Sequence, residues 1–277
     1  MSSSAFLPNQ VISAYDMLEF KAARFFNLAL TLQILRNMME KKPSDAVMDN
    51  GTKDFLCEEL EKVKVHCDGI GLPMALLQID RTMDNLKEKD ISLDFGNAAG
   101  HVKNIYLRIQ DELGLQLFMH INSENSRYYL QPQKVFSQVV LDKFPSIIND
   151  VESSCRCYAT GNYTASVFHL MRIMECGLRI LGRSLNDNSL DPKKNPTWES
   201  ILRKCDDELR KKLNDRCQEW KLDDKFFSDA TANLRAVKDA WRNPTMHIDQ
   251  IYDSEQAVAV LNAVNGFMRH LSTKLAE

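Results

Sequence analysis

Long stretches without glycine or proline constrain the fold of this chain more than any other feature of its sequence. There are 10 glycines and 8 prolines in 277 residues, roughly half of the ~12% that these two residues together average in proteins. The segment from Val11 to Lys41 contains neither, and its apolar side chains recur at helical spacing. Because helix interiors tolerate neither residue well, their scarcity predicts a mainly all-α fold.

Helix start and stop signals divide the N-terminal half into four predicted helices. The first ends just before Pro43, the second opens at Asp49 and ends near Gly69, and Gly114 closes the fourth. The predicted spans are residues 11–41, 50–69, 73–89 and 98–113.

The spacing of the apolar residues changes after Gly114. Apolar side chains alternate with other residues from Leu115 to Ile121, and a polar turn separates them from the short segment Arg127 to Leu130. Strict alternation is typical of a half-buried strand, so the sequence predicts a short β-hairpin near 115–130. We place a domain boundary near residue 140, which gives an N-terminal helical domain, 1–140, and a C-terminal helical domain, 141–277.

The C-terminal half is predicted to be helical throughout. One of its helices, from Thr164 to Leu185, is apolar on two nearly opposite faces, which is typical of a central helix packed on both sides. Thr197 and Asp253 offer N-caps, and Gln256 completes a capping-box pattern. The predicted spans are residues 146–159, 164–185, 198–213, 226–241 and 253–277.

Charge and cysteine content narrow the function classes. The net charge is −3, which argues against a protein that coats nucleic acid through many phosphate contacts. Seven cysteines without framework spacing favour free thiols in a reducing compartment. With no secretory signal and no apolar run long enough for a membrane, we expect a cytoplasmic protein. No zinc spacing or phosphate-binding loop is present, so we expect neither metal nor cofactor.

The segment from Trp241 to His247 is where sequence pattern and chemistry coincide. On a continuous helix Arg242 and His247 would lie on different faces. Pro244 is expected to break the helix and to move Asn243 out of the α region, which would let the two side chains converge. An arginine fork matches phosphate oxygens, and a histidine can move protons near neutral pH.

Two further cations extend this pattern along the preceding helix. Arg235 and Lys238 lie seven and four residues before Arg242 and predict a short basic stripe on one helix face. By spacing alone, a structural interpretation stays open: Arg242 and His247 would cap helix carbonyls and complement the helix dipole.

The motif Arg242-Asn243-x-x-x-His247, between the last two long helices of a helical unit, resembles the signature of the HEPN superfamily. The stretch from Gly161 to Leu181 also resembles the buried second helix of HEPN domains. The resemblance covers roughly residues 144–275. It implies an antiparallel helical bundle that acts as a metal-independent endoribonuclease, with Arg242 and His247 catalytic, Asn243 supporting and Glu175 a weaker candidate for orienting the site.

The same resemblance implies partners and a setting. Members typically form homodimers in which two motifs face one RNA strand, and many act in toxin–antitoxin or anti-phage systems. A protein partner or antitoxin would then bind the N-terminal domain. The alternative function is a non-catalytic helical module that dimerises or binds a protein or nucleotide, and the methionine-rich N-terminal half is compatible with it. His169, on the predicted central helix, is interpreted as a hydrogen-bonded core histidine.

Overall fold

The computed structural model of the protein describes residues 22–88, 93–245, 247 and 249–277. The chain divides into two compact units between Met119 and His120. No helix within the described ranges is both long and apolar enough to cross a membrane.

The first unit is built from four helices: α1 (Ala22–Glu40), α2 (Asn50–Ile70), α3 (Pro73–Lys87) and α4 (Phe95–Gly114). These bounds confirm the second, third and fourth predicted helices to within a few residues. The first predicted helix is confirmed from Ala22 onward, and residues 11–21 lie outside the described part of the chain.

Hydrogen bonds from side chains and a glycine mark the helix ends of this unit. The Asp49 carboxylate accepts the Thr52 amide at the start of α2, and Gly71 ends that helix at a φ of 78° that favours glycine. The residue before α3, Leu72, has no side chain that can cap the helix. Its amides at Met74 and Ala75 donate to the Glu112 carboxylate from α4, at 2.9 and 2.7 Å.

The second unit contains the remaining helices. They are α5 (Ser126–Leu130), α6 (Gln138–Lys143), α7 (Ile148–Ala159), α8 (Tyr163–Arg183), α9 (Trp198–Arg210), α10 (Gln218–Leu222), α11 (Asp224–Val237), α12 (Asn243–Thr245) and α13 (Ser254–Ser272). The molecule is therefore all-α. Within the described residues, β structure is limited to one isolated bridge between Val47 and Asp94.

The hairpin predicted near 115–130 is wrong. Ser126 to Leu130 forms a helix, and the residues before it form no strand. Tyr128 and Tyr129 explain why, because both are buried although they are neighbours in sequence. A strand would point two neighbouring side chains to opposite faces, whereas a helical turn directs both toward α7, where Tyr128 lies 4.7 Å from the Tyr158 ring.

The boundary also differs from the position near residue 140. Residues 120–140 belong to the second unit, because their apolar side chains enter its core. Phe136 and Val140 are buried there, and the Asn265 side chain of α13 donates to the Val135 carbonyl at 2.9 Å. Local pattern could not show these contacts, since they join residues 130 positions apart.

Helix α8 is the central helix of the second unit, as predicted. It packs against α7, α9 and α13 and is buried on more than one face, including Val167, Leu170, Ile173 and Leu178. A Cβ at Gly177 would lie 2.8 Å from a ring carbon of Phe267. The absence of a side chain at this glycine therefore lets α8 and α13 approach closely.

Candidate functional site

A π turn positions the motif that the sequence singled out. It spans Lys238–Arg242 and joins α11 to α12. The Asn243 amide donates to the Lys238 carbonyl five residues earlier, which is the wider hydrogen-bond pattern of a π helix. The helical path therefore continues from Asp224 through Thr245.

The predicted helix break at Pro244 is wrong. Asn243 keeps α-helical angles, φ −65° and ψ −50°, and Pro244 itself lies within α12. A proline in a regular α-helix removes one hydrogen bond and collides with the carbonyl four residues back. The widened turn just before it changes that spacing, so the chain accommodates Pro244 and turns only afterwards, where the His247 amide donates to the Pro244 carbonyl at 2.9 Å.

His247 is exposed and lines an open cleft of about 370 Å³. The other described residues that line this cleft are Asp239, Asn243, Pro244, Asp249 and Gln250. Asp239 and Asn243 lie four residues apart on the helical segment, so both face the histidine from one side. The carboxylates of Asp239 and Asp249 are additions to the predicted site residues, because the motif pattern includes neither of them.

Arg242 does not line this cleft. Its guanidinium carbon lies 6.0 Å from the centre of the Trp198 ring at the start of α9, within the range of a cation–π contact. Its Nη1 lies 3.5 Å from the Asn243 side-chain oxygen. Asn243 therefore contacts Arg242 and also lines the cleft of His247, and it lies between the two predicted catalytic side chains.

The loop after the motif is held by a small hydrogen-bond network that no local sequence pattern indicates. The Thr245 and Tyr252 hydroxyls lie 2.8 Å apart, and both donate to the Trp241 carbonyl. The Tyr252 amide donates to the Thr164 hydroxyl of α8 at 3.1 Å. Because Tyr252 is buried, these bonds fix the two ends of the segment that carries His247.

The predicted basic stripe is neutralised by acids on α9. Lys238 forms an ion pair with Glu199, and Arg235 forms one with Asp206. The hydrogen bond and charge of Lys238 hold the pKa of Glu199 below its usual range. The predicted stripe therefore forms a line of ion pairs between α9 and α11, which we call the seam. The third cation, Arg242, contacts the Trp198 ring and the Asn243 side chain instead.

The weaker candidate, Glu175, lies on α8 and pairs with Arg179 one turn later, at 2.6 Å. Neither of these residues lines the cleft of His247. This geometry is that of an ordinary intrahelical ion pair, and it gives Glu175 no described contact with the motif.

His169 differs from its interpretation as a core histidine. Its Nδ1 lies 2.8 Å from the Asp150 carboxylate, which also accepts the Arg172 Nε at 2.7 Å. The Arg172 side chain is 59% exposed, so this cluster lies at the surface of the α7–α8 pair. Here the Asp150 carboxylate joins an arginine and a histidine, whereas no described contact joins Arg242 to His247.

Other chemistries find less support in the described residues. No group of three or more His, Cys, Asp or Glu side chains there is arranged to hold a metal. All seven cysteines are free, and burial raises the pKa of Cys155 and of Cys205 to about 12. These two thiols are therefore protonated at neutral pH and are poor nucleophiles.

Comparisons with models of known protein families, with curated proteins and with solved structures found no match for this chain.

Proposed function

We propose that this protein is a metal-independent endoribonuclease of the HEPN type that cleaves RNA at Arg242 and His247. The observation that carries the proposal is the exposed His247 imidazole in an open cleft that Asn243 also lines, with Arg242 on the other side of Asn243.

The three side chains supply the groups that the reaction needs. His247 takes the proton of an RNA 2′-hydroxyl, whose oxygen then attacks the phosphorus. The bond to the 5′-oxygen breaks, and that oxygen takes a proton from a second, protonated histidine, the His247 of another copy of the chain. The products are a 2′,3′-cyclic phosphate on one fragment and a free 5′-hydroxyl on the other, so no water is consumed in the cleavage step.

Arg242 and Asn243 stabilise the phosphate during this step. The Arg242 guanidinium carbon lies over the Trp198 ring at 6.0 Å, and the N–H donors of a guanidinium match phosphate oxygens. The Asn243 oxygen faces Arg242, so its side-chain NH₂ remains as a donor to the charged transition state.

The site gains from a second copy of the chain. In one chain Arg242 lies beside α9, while the cleft of His247 contains Asp239 and Asp249. Two carboxylates repel a phosphate, and one histidine cannot act as base and acid at once. We therefore extend the proposal to a homodimer in which the motif of each copy contributes to one RNA site.

The resemblance alone extends the proposal to a toxin or anti-phage role with a partner at the N-terminal unit. The cytoplasm, where RNA is abundant, is the setting that this role requires.

Cleavage of mixed RNA in the presence of a chelator tests the proposal. We expect fragments with 2′,3′-cyclic ends from the wild-type chain, at least a 100-fold loss in His247→Ala and in Arg242→Ala, and a smaller loss in Asn243→Ala. His120→Ala, which removes another exposed histidine, and His169→Ala are the matched controls.

Each control separates this site from another source of cutting. Loss in His169→Ala but not in His247→Ala would move the activity to the Asp150 cluster. RNA that stays intact under all conditions, together with a stable complex recovered from cells, would favour the non-catalytic interaction module.

A further inference from the structure

Helix α1 of the first unit is apolar on both sides. One face is buried and contributes Leu28, Leu32, Leu35 and Met39 to the core of the unit. The opposite face carries Phe26, Leu30, Ile34 and Met38, which are 69%, 47%, 49% and 42% exposed. We call these four side chains the α1 ridge.

Few of the described side chains around the α1 ridge are charged, and the cation among them, Arg36, pairs with Glu40 at 2.7 Å. The other described side chains exposed between residues 23 and 38 belong to Ala23, Asn27, Ala29, Gln33 and Asn37. Gln33 and Asn37 hydrogen-bond to each other at 2.9 Å. A surface helix normally presents charged residues to water, so this uncharged apolar face is the kind that a protein covers.

We propose that the α1 ridge is a homodimer contact in which it packs against the α1 ridge of a second copy of this chain. The four residues are spaced by four, and i±4n ridges interdigitate with one another when two helices cross at about −50°. The rows beside the ridge contain the small residues Ala23 and Ala29, which leave grooves that an identical ridge can enter.

Charge and area favour a second copy as the occupant. A two-fold contact places the same face against itself, and an uncharged face does so without like-charge repulsion. At roughly 100 Å² for each half-exposed side chain, two ridges bury roughly 800 Å², below the ~1,200 Å² of stable interfaces. The ridge alone therefore predicts a weak dimer that depends on protein concentration.

An adjoining apolar segment enlarges the surface. Phe118 packs edge-on against Phe25 of α1, with ring centres 5.4 Å apart, and is still 51% exposed. Its neighbours Leu117 and Met119 are 102% and 56% exposed. Burial of these side chains in the same contact brings the area into the range of stable dimers. This inference stands independently of the ribonuclease proposal.

Sedimentation of the full chain from about 1 to 100 μM tests the dimer. We expect a monomer–dimer equilibrium that Leu30→Glu and Ile34→Glu each weaken at least about tenfold, since a carboxylate would then face its own copy without a partner. The matched control is Leu77→Glu on α3, a side chain 43% exposed, which should leave the equilibrium unchanged.

A crosslinking experiment identifies what covers the ridge. Near a two-fold axis a residue meets itself, so Ile34→Cys should give a disulfide-linked dimer on oxidation, whereas Leu77→Cys should give no more than the wild-type chain. A monomer at all concentrations, a dimer that Leu30→Glu and Ile34→Glu do not weaken, or an intramolecular crosslink from Cys at position 34 would each overturn the proposal.

Discussion

Helices α1 and α8 share a sequence pattern and differ in how the fold uses it. Both are apolar on more than one face. Helix α8 is covered by α7, α9 and α13, and Val167, Leu170 and Leu178 have no exposed surface. Among the described elements, helix α1 packs mainly against α4 and α2, and Leu30 and Ile34 stay about half exposed. An apolar second face thus indicates that a helix needs another neighbour, and does not say whether its own chain supplies one.

The largest expected effect comes from shortening a side chain on the covered helix. Leu178→Ala should lower the free energy of unfolding of the second unit by about 2–5 kcal/mol, because it leaves a cavity. The matched change Leu30→Ala on α1 should cost much less. Tryptophan fluorescence in urea follows the second unit, since Trp198, Trp220 and Trp241 all lie there, and circular dichroism follows the helices of both units. Equal losses from the two changes would remove the distinction between the helices.

The contact between α8 and α13 gives the next largest effect. Gly177→Ala places a Cβ 2.8 Å from the Phe267 ring and 3.0 Å from Leu271, so the second unit should lose about 1–3 kcal/mol. Gly266→Ala on α13 is the matched control, because nothing lies within 4 Å of its new Cβ and alanine favours the helix. It should stabilise the unit slightly, and a loss in the control alone would contradict this account.

A pH-dependent effect comes from Glu277, which covers part of the outer face of α8. Burial would raise the pKa of its carboxyl, but hydrogen bonds from the Ser146 hydroxyl and amide and from the Cys176 thiol outweigh burial and lower it. A group whose pKa falls on folding contributes stability above its unfolded pKa of about 4.3, and this is lost as the pH falls through the lower folded value. We expect Glu277→Gln to unfold at lower urea than wild type at pH 7.

The same comparison at low pH provides the control. As the pH falls below the unfolded pKa, the wild-type chain loses this contribution, so the two urea midpoints should approach each other. A constant difference between wild type and Glu277→Gln from pH 7 to pH 3 would show that the charge of Glu277 has no part in holding this face.

The smallest change in stability is expected at the seam between α9 and α11, where a polar face is covered. Glu199→Gln together with Asp206→Asn leaves Lys238 and Arg235 without their acids. Exposed ion pairs contribute little to stability, so the urea midpoint should hardly move. RNA binding at low salt should rise several-fold, with a steeper salt dependence. Asp207→Asn together with Glu219→Gln, two exposed acids outside the seam, is the control matched for lost charge. An equal rise in RNA binding there would show that only the net charge matters.

Much of the fold was predictable because its signals are local. The N-caps at Asp49, Thr197 and Asp253 are as predicted, since a cap depends on residues three positions apart. The prediction that α8 is central is confirmed, although its two apolar faces alone do not distinguish it from α1. The hairpin was not, because alternation of apolar residues says nothing about the neighbour that buries Tyr128 and Tyr129.

The candidate site was predictable in its residues and not in its geometry. Arg242, Asn243 and His247 are neighbours in sequence, so any fold keeps them near one another. Their orientation depends on the π turn that accommodates Pro244, on Trp198 of α9 and on the bonds of Tyr252. None of these is visible in the spacing of the motif.

The sequence by itself determined that this chain is helical, where most of its helices begin and end, and which residues lie together at the motif. Periodicity, capping and the cost of glycine and proline act within a few residues. The tertiary structure alone decided that residues 120–140 join the second unit, that α9 neutralises the basic stripe and that the α1 ridge stays exposed. These outcomes depend on which distant side chains come into contact, and local free energies carry no information about that pairing.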